Sequence, residues 1–458
     1  MKEFDLIVVG SGSGLDVASG LARRGKKVAV IEPGRLGGTC LNRGCIPSKM
    51  LIHRADVAEE IHNSEQFGIN SSIEDIKFEN MIEEVNHEVH SDAESIEKGL
   101  KQSEQHTLYK EAAQFVDEKV LKLKDSGKKI TADTIVVAAG SRPFVPPIEG
   151  ADEVDYWVST DALNPDYRPE SIIMVGGGYI SLELAHFYDA MGTDVTILER
   201  GEKVLKREDR DISEKITEMA EDRYDVELEV SATEIKEENG KKKVLAENSE
   251  GEQVGFKADE ILMAAGRVSN TDSLEVGEAD IETTDRGFVK TDEKMRTSVD
   301  GVYALGDIAD NWMFKHSANH EAEVVYKNIV TGDDYDVDYP GMPHAVFTSP
   351  QIAGVGKTEQ ELEDEGKDYG IDFVTASYDY SDTGMGGALK EEDGFVKVIA
   401  TEEGEILGCH IIGPHASQQI HEVLVAMQAG SGTIDDIKDT IHIHPALNEV
   451  VQRAFSQL

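Results

Sequence analysis

Apolar runs that end in glycine clusters occur twice in the first half of the chain. Residues 4–9 form an apolar run that ends at Gly10-Ser11-Gly12-Ser13-Gly14, and after an amphipathic stretch a second run, VAVIE, ends at Glu32. The segment SIIMVGGGYISLELA repeats this plan, and its second strand ends at Glu199. Strand, glycine turn, helix and strand in this order are typical of βαβ units. The repeat predicts two dinucleotide-binding domains.

Other patterns indicate connectors and a third unit. A polar stretch with helical spacing covers about 75–105, and Pro143, Pro146 and Pro147 mark a connector. The apolar strand in VYALGDIAD ends at Gly306-Asp307. From about residue 340, short strands alternate with amphipathic helices, which predicts an α+β domain in the C-terminal third.

The net charge of the chain indicates the kind of solution in which the protein works. The 458 residues include 90 acidic and 45 basic side chains, a formal net charge of −45. This sign is opposite to that of a nucleic-acid-binding protein. The acidic residues are spread along the chain, which argues against an acidic tail. At molar salt the Debye length falls to about 3 Å and screens the repulsion, so we predict a salt-adapted protein.

The location of the protein is predicted from two further patterns. No apolar run reaches the roughly 18 residues that a membrane-spanning helix needs, so we expect no membrane partner. The N-terminal residues lack the basic segment, apolar core and cleavage site of a signal peptide. We therefore expect a cytoplasmic protein, in a hypersaline cytoplasm.

The first glycine loop has the chemistry of a pyrophosphate site. Its glycines let the backbone approach a phosphate at the N-terminus of a helix. Glu32 follows Gly12 by twenty residues, where an acid can accept hydrogen bonds from ribose hydroxyls. The loop alone would also fit an ordinary tight turn, but its context favours a dinucleotide. Leu15 stands where the fingerprint has Gly or Ala, so we expect altered helix–strand packing there.

A second loop, Gly176-Gly177-Gly178-Tyr179-Ile180-Ser181, lies in the same context. Glu199 and Arg200 end the strand that follows it. Two such loops suggest two dinucleotides, one bound permanently as an electron relay and one that exchanges.

A close pair of cysteines lies between glycine-rich turns. Cys40 and Cys45 belong to the segment GGTCLNRGCIPSK, at the expected mouth of a helix. A bridge between them requires a distorted first turn, which Gly44 permits. The helix N-terminus and Lys49 would favour a thiolate. A reducing cytosol disfavours a structural disulfide. Two unpaired core cysteines are the alternative, and the position of the pair between glycine-rich turns in a cytosolic chain argues against it.

The distant Cys409 lies in an apolar strand, where it reads as core packing. Three cysteines do not make a zinc set, and no metal site is predicted.

The cysteine segment resembles the redox-active motif of the flavoprotein disulfide reductases, the family of glutathione reductase and dihydrolipoamide dehydrogenase. ALGDIAD, ILMAAGRVSN and IHIHPALNEVV extend this resemblance over nearly the whole chain. It implies an α/β fold with two Rossmann-like domains and a C-terminal α+β dimerisation domain. The implied divisions are residues 1–148 and 269–337 for FAD, 149–268 for NAD(P) and 338–458 for the subunit interface.

The resemblance also implies roles for the redox residues. Cys45 would be the flavin-proximal thiolate, and Cys40 would be the thiol that attacks the substrate disulfide. Lys49, paired with Glu183, would lie near the flavin, and reduced nicotinamide would dock beside Tyr179.

The proton donor is implied in the same way. His444, oriented by Glu449, would protonate the leaving thiol. In the family this pair comes from the other subunit of a homodimer, so a monomer should be inactive. His442 is a competing candidate, and a capping or core role for His444 is the structural alternative.

The cofactor contacts implied by the resemblance fall into two sets. The FAD set is Gly10, Gly12, Gly14, Glu32, Gly38, Thr39, Lys49, Ala113, Gly140, Ser141 and Asp307. The NAD(P) set is Gly176, Gly178, Tyr179, Ile180, Glu199, Arg200, Lys206 and Gly266.

Several segments bear on the substrate. FKHSANHEAEVV, PHAVFTSPQIAGVG and CIPSKMLIHRADVAE resemble mycothione reductases and, more closely, the bis-γ-glutamylcystine reductases of salt-loving archaea. Lys315-His316-Ser317-Ala318 replaces the AHKA that is usual in dihydrolipoamide dehydrogenases. We therefore expect a reductase of a low-molecular-weight thiol disulfide that maintains cytosolic thiol redox balance.

Other functions remain as alternatives. Dihydrolipoamide dehydrogenase, the shared subunit of 2-oxo acid dehydrogenase complexes, is the first, and a catalytically idle flavoprotein subunit is a remote one. Mercuric and thioredoxin reductases are disfavoured because the C-terminal segment lacks further cysteines.

The choice between NADPH and NADH depends on the charged residues at the end of the second strand of the repeated βαβ unit. Glu199 would repel a 2′-phosphate, whereas Arg200 and Lys206 match positions that are basic in NADPH-dependent members. High salt would weaken the repulsion more than a direct arginine–phosphate contact, so NADPH is favoured over NADH.

Overall fold

The computed structural model describes residues 1–309 and 311–458. Its first unit is built on a seven-stranded sheet in which β3, β2, β1 and β6 run parallel and β5 and β4 continue antiparallel. The elements of this unit are β1 (Lys2–Val9), α1 (Gly14–Ala22), β2 (Val28–Ile31), α2 (Gly38–Arg43), α3 (Cys45–His62), α4 (Phe78–Gln102), β3 (His106–Tyr109), β4 (Ala113–Asp117), β5 (Val120–Leu123) and β6 (Lys129–Val137).

A second unit repeats the parallel plan. The strands β10, β9, β8 and β14 form a parallel sheet, and β11–β13 form an antiparallel sheet beside it. A short strand, β7 (Ser141–Pro143), precedes this unit. The elements are α5 (Ser159–Ala162), β8 (Ser171–Val175), α6 (Tyr179–Ala190), β9 (Asp194–Leu198), α7 (Arg210–Arg223), β10 (Asp225–Glu227), β11 (Ser231–Glu238), β12 (Lys241–Glu247), β13 (Gln253–Ala258) and β14 (Glu260–Met263).

The chain then returns to the first unit. β15 (Arg267–Ser269) pairs with β7, and β16 (Val302–Ala304) adds to β6 as a parallel strand. The helices α8 (Thr271–Leu274) and α9 (Lys315–Thr331) flank this return.

The C-terminal unit is an antiparallel sheet in the order β17-β18-β21-β20-β19, covered by helices. Its elements are β17 (His344–Val346), β18 (Gln351–Gly356), α10 (Glu359–Asp364), β19 (Val374–Asp379), α11 (Gly384–Leu389), β20 (Phe395–Ala400), β21 (Ile406–Gly413), α12 (Ala416–Ala429), α13 (Asp435–Lys438) and α14 (Glu449–Phe455). The prediction of an α/β protein with two Rossmann-like units and an α+β unit is confirmed. Within the described ranges, no helix has the length and apolar character to cross a bilayer.

The parallel strands bring the chemically active segments to one edge of the first sheet. The carboxyl ends of β1, β6 and β16 lead into Gly10, into residues 138–140 and into Gly306-Asp307. Because the three strands are parallel neighbours, these turns meet at the same edge. This edge is where open α/β sheets bind ligands.

Helix α1 packs closely on the sheet through Gly14. A Cβ at this position would lie 2.8 Å from the side chains of both Val8 and Ala138. Leu15 instead packs against the margin of the first core. In the dinucleotide fingerprint, a small residue at position 15 makes the close contact between helix and strand. In this protein Gly14 makes that contact, one residue earlier, and this explains how Leu15 is accommodated.

Candidate active site

The two cysteines lie on either side of a helix junction. Cys40 is in α2, Cys45 begins α3, and Gly44 separates the two helices. A Cβ on Gly44 would lie 3.0 Å from the carbonyl oxygen of Thr39, closer than ordinary contacts allow. The helix is therefore interrupted at Gly44, and a side chain at this position would require a shift of the neighbouring backbone. Both cysteines are free thiols.

The two thiols have opposite acidities. Cys40 donates a hydrogen bond to Cys45, and this bond, assisted by the charge of Lys49, lowers the pKa of Cys45 to about 6 against the opposing effect of burial. The same bond, with burial, raises the pKa of Cys40. The hydrogen bond and the charge of Lys49 therefore favour the thiolate at Cys45 and the proton at Cys40.

An ion pair behind the cysteines joins the three units. Lys49 Nζ lies 2.6 Å from Glu183 Oε2, which connects α3 with α6. The other oxygen of Glu183 accepts a 3.0 Å hydrogen bond from the backbone N–H of Phe347, just after β17. The Phe347 ring lies 4.5 Å from Lys49 Nζ. The predicted Lys49–Glu183 pair is present, and its position depends on a residue of the C-terminal unit that sequence reasoning missed.

A cavity of about 390 Å³ runs along the carboxyl edge of the first sheet and reaches the cysteines. Its volume is typical of a ligand pocket. Most of the predicted FAD residues line it, together with both thiols; these are Gly10, Gly12, Glu32, Gly38, Thr39, Lys49, Ala113, Gly140 and Asp307.

The glycines of this cavity allow backbone segments to touch. A Cβ on Gly10 would lie 2.2 Å from the carbonyl oxygen of Ala138, and a Cβ on Gly38 would lie 2.7 Å from Gly12 Cα. Both residues have positive φ, +101° and +68°. The first loop and the start of α2 together form a cradle. A side chain larger than that of glycine at Gly10 or Gly38 would fill it.

Two of the predicted FAD residues, Gly14 and Ser141, lie behind the cavity wall. Gly14 makes the helix–sheet contact described above. Ser141 Oγ donates a 2.6 Å hydrogen bond to Asp307 Oδ2 and accepts one of 2.7 Å from Arg267 Nε. Ser141 therefore orients Asp307. Asp310, the last residue of the ALGDIAD motif, lies outside the described residues.

The second glycine loop meets the cavity only through the start of its helix. Tyr179 and Ile180 line the cavity with the cysteines. Gly176 has a positive φ of +113°, and its Cβ would lie 2.7 Å from the carbonyl oxygen of Ala264. Gly178 precedes α6 as its N-cap, and the carbonyl of Gly266 accepts a hydrogen bond from Phe144. None of these three glycines lines the cavity; Gly176 and Gly178 belong to the second glycine loop, and Gly266 lies between β14 and β15.

The charged residues after β9 divide into two groups. Glu199 is buried, and its two carboxylate oxygens accept hydrogen bonds from the N–H groups of Gly177 (2.6 Å) and Gly201 (2.8 Å). Arg200 and Lys206 are exposed. The neighbouring Arg207, which sequence reasoning missed, is exposed as well. Exposed basic side chains therefore lie next to Glu199, and the carboxylate of Glu199 is bound to backbone N–H groups of its own loop.

The predicted His444–Glu449 pair is formed. His444 Nδ1 lies 3.0 and 3.1 Å from the two oxygens of Glu449. The hydrogen bond with His444 lowers the pKa of Glu449, which fixes a charged acceptor behind the ring. The side chain of His444 is 73% exposed, and it does not line the cavity that contains the cysteines. Its outward ring nitrogen is open to another molecule.

The competing histidine is fully engaged. His442 Nε2 lies 2.6 Å from Glu422 Oε1, and its Nδ1 lies 2.9 Å from the carbonyl oxygen of Thr440. Only 8% of the side chain is exposed. Neither nitrogen is available to an outside group, so the geometry favours His444. Cys409 is buried in β21, and burial raises the pKa of its thiol, in agreement with plain core packing.

A polar cluster beside Cys40 was missed by sequence reasoning. Lys315 Nζ lies 2.7 Å from Ser13 Oγ and 2.5 Å from Asn319 Oδ1. Lys315 and Ser13 line the cavity. The only sign of this cluster in the sequence was that Lys315 departs from the motif usual in dihydrolipoamide dehydrogenases. The contact of Lys315 with the first glycine loop depends on how α9 packs against α1.

Two Rossmann-like units, a dithiol between their glycine loops and a separate antiparallel unit define a disulfide oxidoreductase. The chain belongs to the pyridine nucleotide-disulphide oxidoreductases: the family model of that description matches residues 4–322, and the model of the family's dimerisation domain matches residues 342–455. It is an enzyme that acts on sulfur groups with NAD(P), and its C-terminal unit supports a homodimer.

Relatives of two named activities are similar to the chain over almost its whole length. Mycothione reductase of Mycobacterium tuberculosis is 36% identical, with 99% of both chains covered. Dihydrolipoyl dehydrogenase of Haloferax volcanii is 35% identical, with 98% of this chain and 95% of the relative covered. Among solved structures, the HOCl-induced flavoprotein disulfide reductase RclA of Escherichia coli, in its Cu(II) complex, has a TM-score of 0.88 at 26% identity, with both chains fully covered.

The cavity fits the FAD cofactor of this family. Its lining includes Glu32, the glycine cradle at the start of α1, Asp307 and both cysteines. A carboxylate for ribose hydroxyls, backbone N–H groups for a pyrophosphate and a redox pair beside a flavin are the donor set that an extended flavin dinucleotide needs.

Proposed function

We propose that the protein uses NADPH to reduce the disulfide of a low-molecular-weight thiol through Cys40 and Cys45. The observation that carries this proposal is the thiol pair itself. It lies at the junction of α2 and α3, in one cavity with the first glycine loop and with Tyr179 of the second.

The order of the thiol steps follows from the opposite pKa shifts of Cys40 and Cys45. Glu32, the first glycine loop and Asp307 would hold FAD, which would supply the electron pair of reduced nicotinamide for reduction of the Cys40–Cys45 disulfide. Cys40, freed of its proton, attacks one sulfur of the substrate, and the first thiol leaves. The thiolate of Cys45 then attacks Cys40, the disulfide re-forms and the second thiol leaves. Two electrons and two protons convert one disulfide into two thiols.

His444 supplies the proton transfers. Cys40 keeps its proton while it donates to Cys45, so its attack requires a base. His444 would accept that proton and return it to the leaving thiolate, while Glu449 holds the ring and stabilises its charged form. Because His444 is exposed and lies outside the cavity of its own chain, we propose that it completes the site of the partner subunit.

Lys49 and Tyr179 would position the reacting groups. The charge of Lys49 favours the Cys45 thiolate, and its bond to Glu183 keeps α3 and α6 in contact. Tyr179 begins α6 inside the cavity, where its ring can cover the nicotinamide site.

The charges around the second loop support NADPH. Both oxygens of Glu199 are committed to backbone N–H groups, which reduces the repulsion that a 2′-phosphate would meet. Arg200, Lys206 and Arg207 are exposed beside it. Basic side chains at this place can form charge-assisted hydrogen bonds with a phosphate.

The test is a comparison of donors and acceptors at high salt. We expect NADPH to exceed NADH in kcat/KM, and a small thiol disulfide such as bis-γ-glutamylcystine or mycothione to exceed lipoamide. Faster NAD+-dependent oxidation of dihydrolipoamide would instead identify a dihydrolipoamide dehydrogenase, an activity that the 35% identity to the Haloferax relative also supports.

A matched pair of variants checks the donor assignment. Arg200→Ala should raise the KM for NADPH by about 10-fold or more, the effect of losing one charged hydrogen bond, and should leave the KM for NADH unchanged. Lys203→Ala is the control, because Lys203 on the same loop is bound to Glu214. An equal change with both donors would contradict a 2′-phosphate contact.

A further inference from the structure

The cavity that contains the cysteines is basic although the chain is strongly acidic. Five basic and three acidic side chains line it, whereas the whole chain has 45 basic and 90 acidic residues. Three of the bases are held by protein groups: Lys49 by a carboxylate, Arg267 by a serine and a carboxylate, and Lys124 by a backbone carbonyl. The two others are Arg43 and Lys315, of which Lys315 is bound only to neutral side chains, and both line the cavity together with Cys40.

Among the described residues, the hydrogen-bond partners of Lys315 carry no charge. Its two hydrogen-bond partners, Ser13 and Asn319, are neutral, and Ser13 also donates to Asn319 over 2.9 Å. Within residues 1–309 and 311–458, no carboxylate lies within ion-pair distance of Lys315 Nζ. An ammonium group has three donors, so one remains available on a group that two neutral partners hold in place.

Lys315 affects Cys40, whose sulfur attacks the substrate. Its charge acts on Cys40, where it opposes the rise in pKa that burial and Cys45 produce. Arg43 follows Cys40 by three residues on α2, which is about one helical turn. An acceptor bound at Cys40 therefore shares the cavity with two cations, Arg43 of α2 and Lys315 of α9.

We propose that Lys315 determines substrate specificity by binding a free carboxylate on the half-cystine that Cys40 attacks, an inference that rests on the proposed disulfide reduction. In cysteine or γ-glutamylcysteine the α-carboxylate is separated from the sulfur only by Cα and Cβ. A cation beside Cys40 can reach it. Lipoamide has no such carboxylate, and in mycothione the cysteinyl carboxyl group is an amide. The preferred acceptors are thus disulfides of thiols with a free cysteinyl carboxylate.

The experiment compares two acceptors that differ only in this group. Bis-γ-glutamylcystine and its derivative with both cysteinyl carboxyls converted to carboxamides are assayed with NADPH at one fixed salt concentration. Lys315→Gln should lower kcat/KM for the acid by about 10- to 100-fold, the range for loss of a charged hydrogen bond. The carboxamide should change by less than about 3-fold, and Lys315→Arg should recover most of the activity with the acid.

The control and a second readout separate this role from others. Lys327→Gln removes the same charge from the same helix, where Lys327 is exposed and paired with Glu323, and should leave both acceptors unaffected. Flavin content is measured for every variant. Equal losses with both acceptors, or loss of FAD from Lys315→Gln, would overturn the proposal and indicate a structural or cofactor role. A wild-type enzyme that reduces neither disulfide would overturn the proposed function as well.

Discussion

Replacement of Cys40 by serine should abolish disulfide reduction and preserve the reduction of bound FAD by NADPH. The serine hydroxyl cannot form a mixed disulfide, so turnover should fall by on the order of 10³-fold or more. The nicotinamide side of the cavity, with Tyr179 and the Lys49–Glu183 pair, remains unchanged. Steady-state disulfide reduction and rapid-mixing measurement of flavin absorbance report the two half-reactions separately.

Cys409→Ser provides the matched control for this result. Cys409 is buried in β21, in the core of the C-terminal unit, and should be dispensable for turnover. Full disulfide reduction by Cys40→Ser would show that another group attacks the substrate, and the assignment of the interchange thiol would then be wrong.

Replacement of His444 by alanine should lower kcat/KM for the disulfide by about 10²- to 10⁴-fold, the usual contribution of a general acid–base group. Glu449→Gln should have a smaller effect, because it removes the charge behind the ring and leaves the ring in place. His442→Gln tests the competing histidine, and a loss as large as that of His444→Ala would reverse the assignment.

Mixed dimers test whether the histidine comes from the partner. A dimer of one Cys40→Ser chain and one His444→Ala chain has one site with both changes and one site with neither. Unfolding and refolding the two inactive variants together should therefore restore up to about a quarter of wild-type activity for a statistical mixture. Activity that stays at the level of the separate variants would place His444 and Cys40 of one chain in the same site.

The sequence specified the redox centre well because its determinants are local. Cys40, Gly44, Cys45 and Lys49 lie within ten residues. Their spacing indicated a distorted helix start and a cation near a thiolate, and the family resemblance implied that the thiolate is Cys45. The glycine loops were equally predictable, since each follows a strand and begins a helix. The predicted ion pair between Lys49 and Glu183 also formed, although 134 positions separate the two residues; only the motif context of each residue indicated it.

Contacts that depend on packing between distant elements could not be predicted. The hydrogen bonds of Ser141 with Asp307 and Arg267 are formed because β7 pairs with β15, and no local pattern specifies that pairing. The contact between Lys315 and Ser13 requires α9 to cross α1, and no pattern in either segment specifies that crossing. The expected adaptation to high salt stays a prediction, because it concerns the solution around the chain.

The most direct test of the central claim is to map the cysteines during turnover. Enzyme is alkylated anaerobically before and after addition of stoichiometric NADPH, digested and analysed by mass spectrometry. The expected result is a Cys40–Cys45 disulfide in the oxidised enzyme that becomes two alkylated thiols, with Cys409 a thiol throughout. An oxidised enzyme that turns over while Cys40 and Cys45 both remain thiols would contradict the claim that electrons leave the protein through this pair.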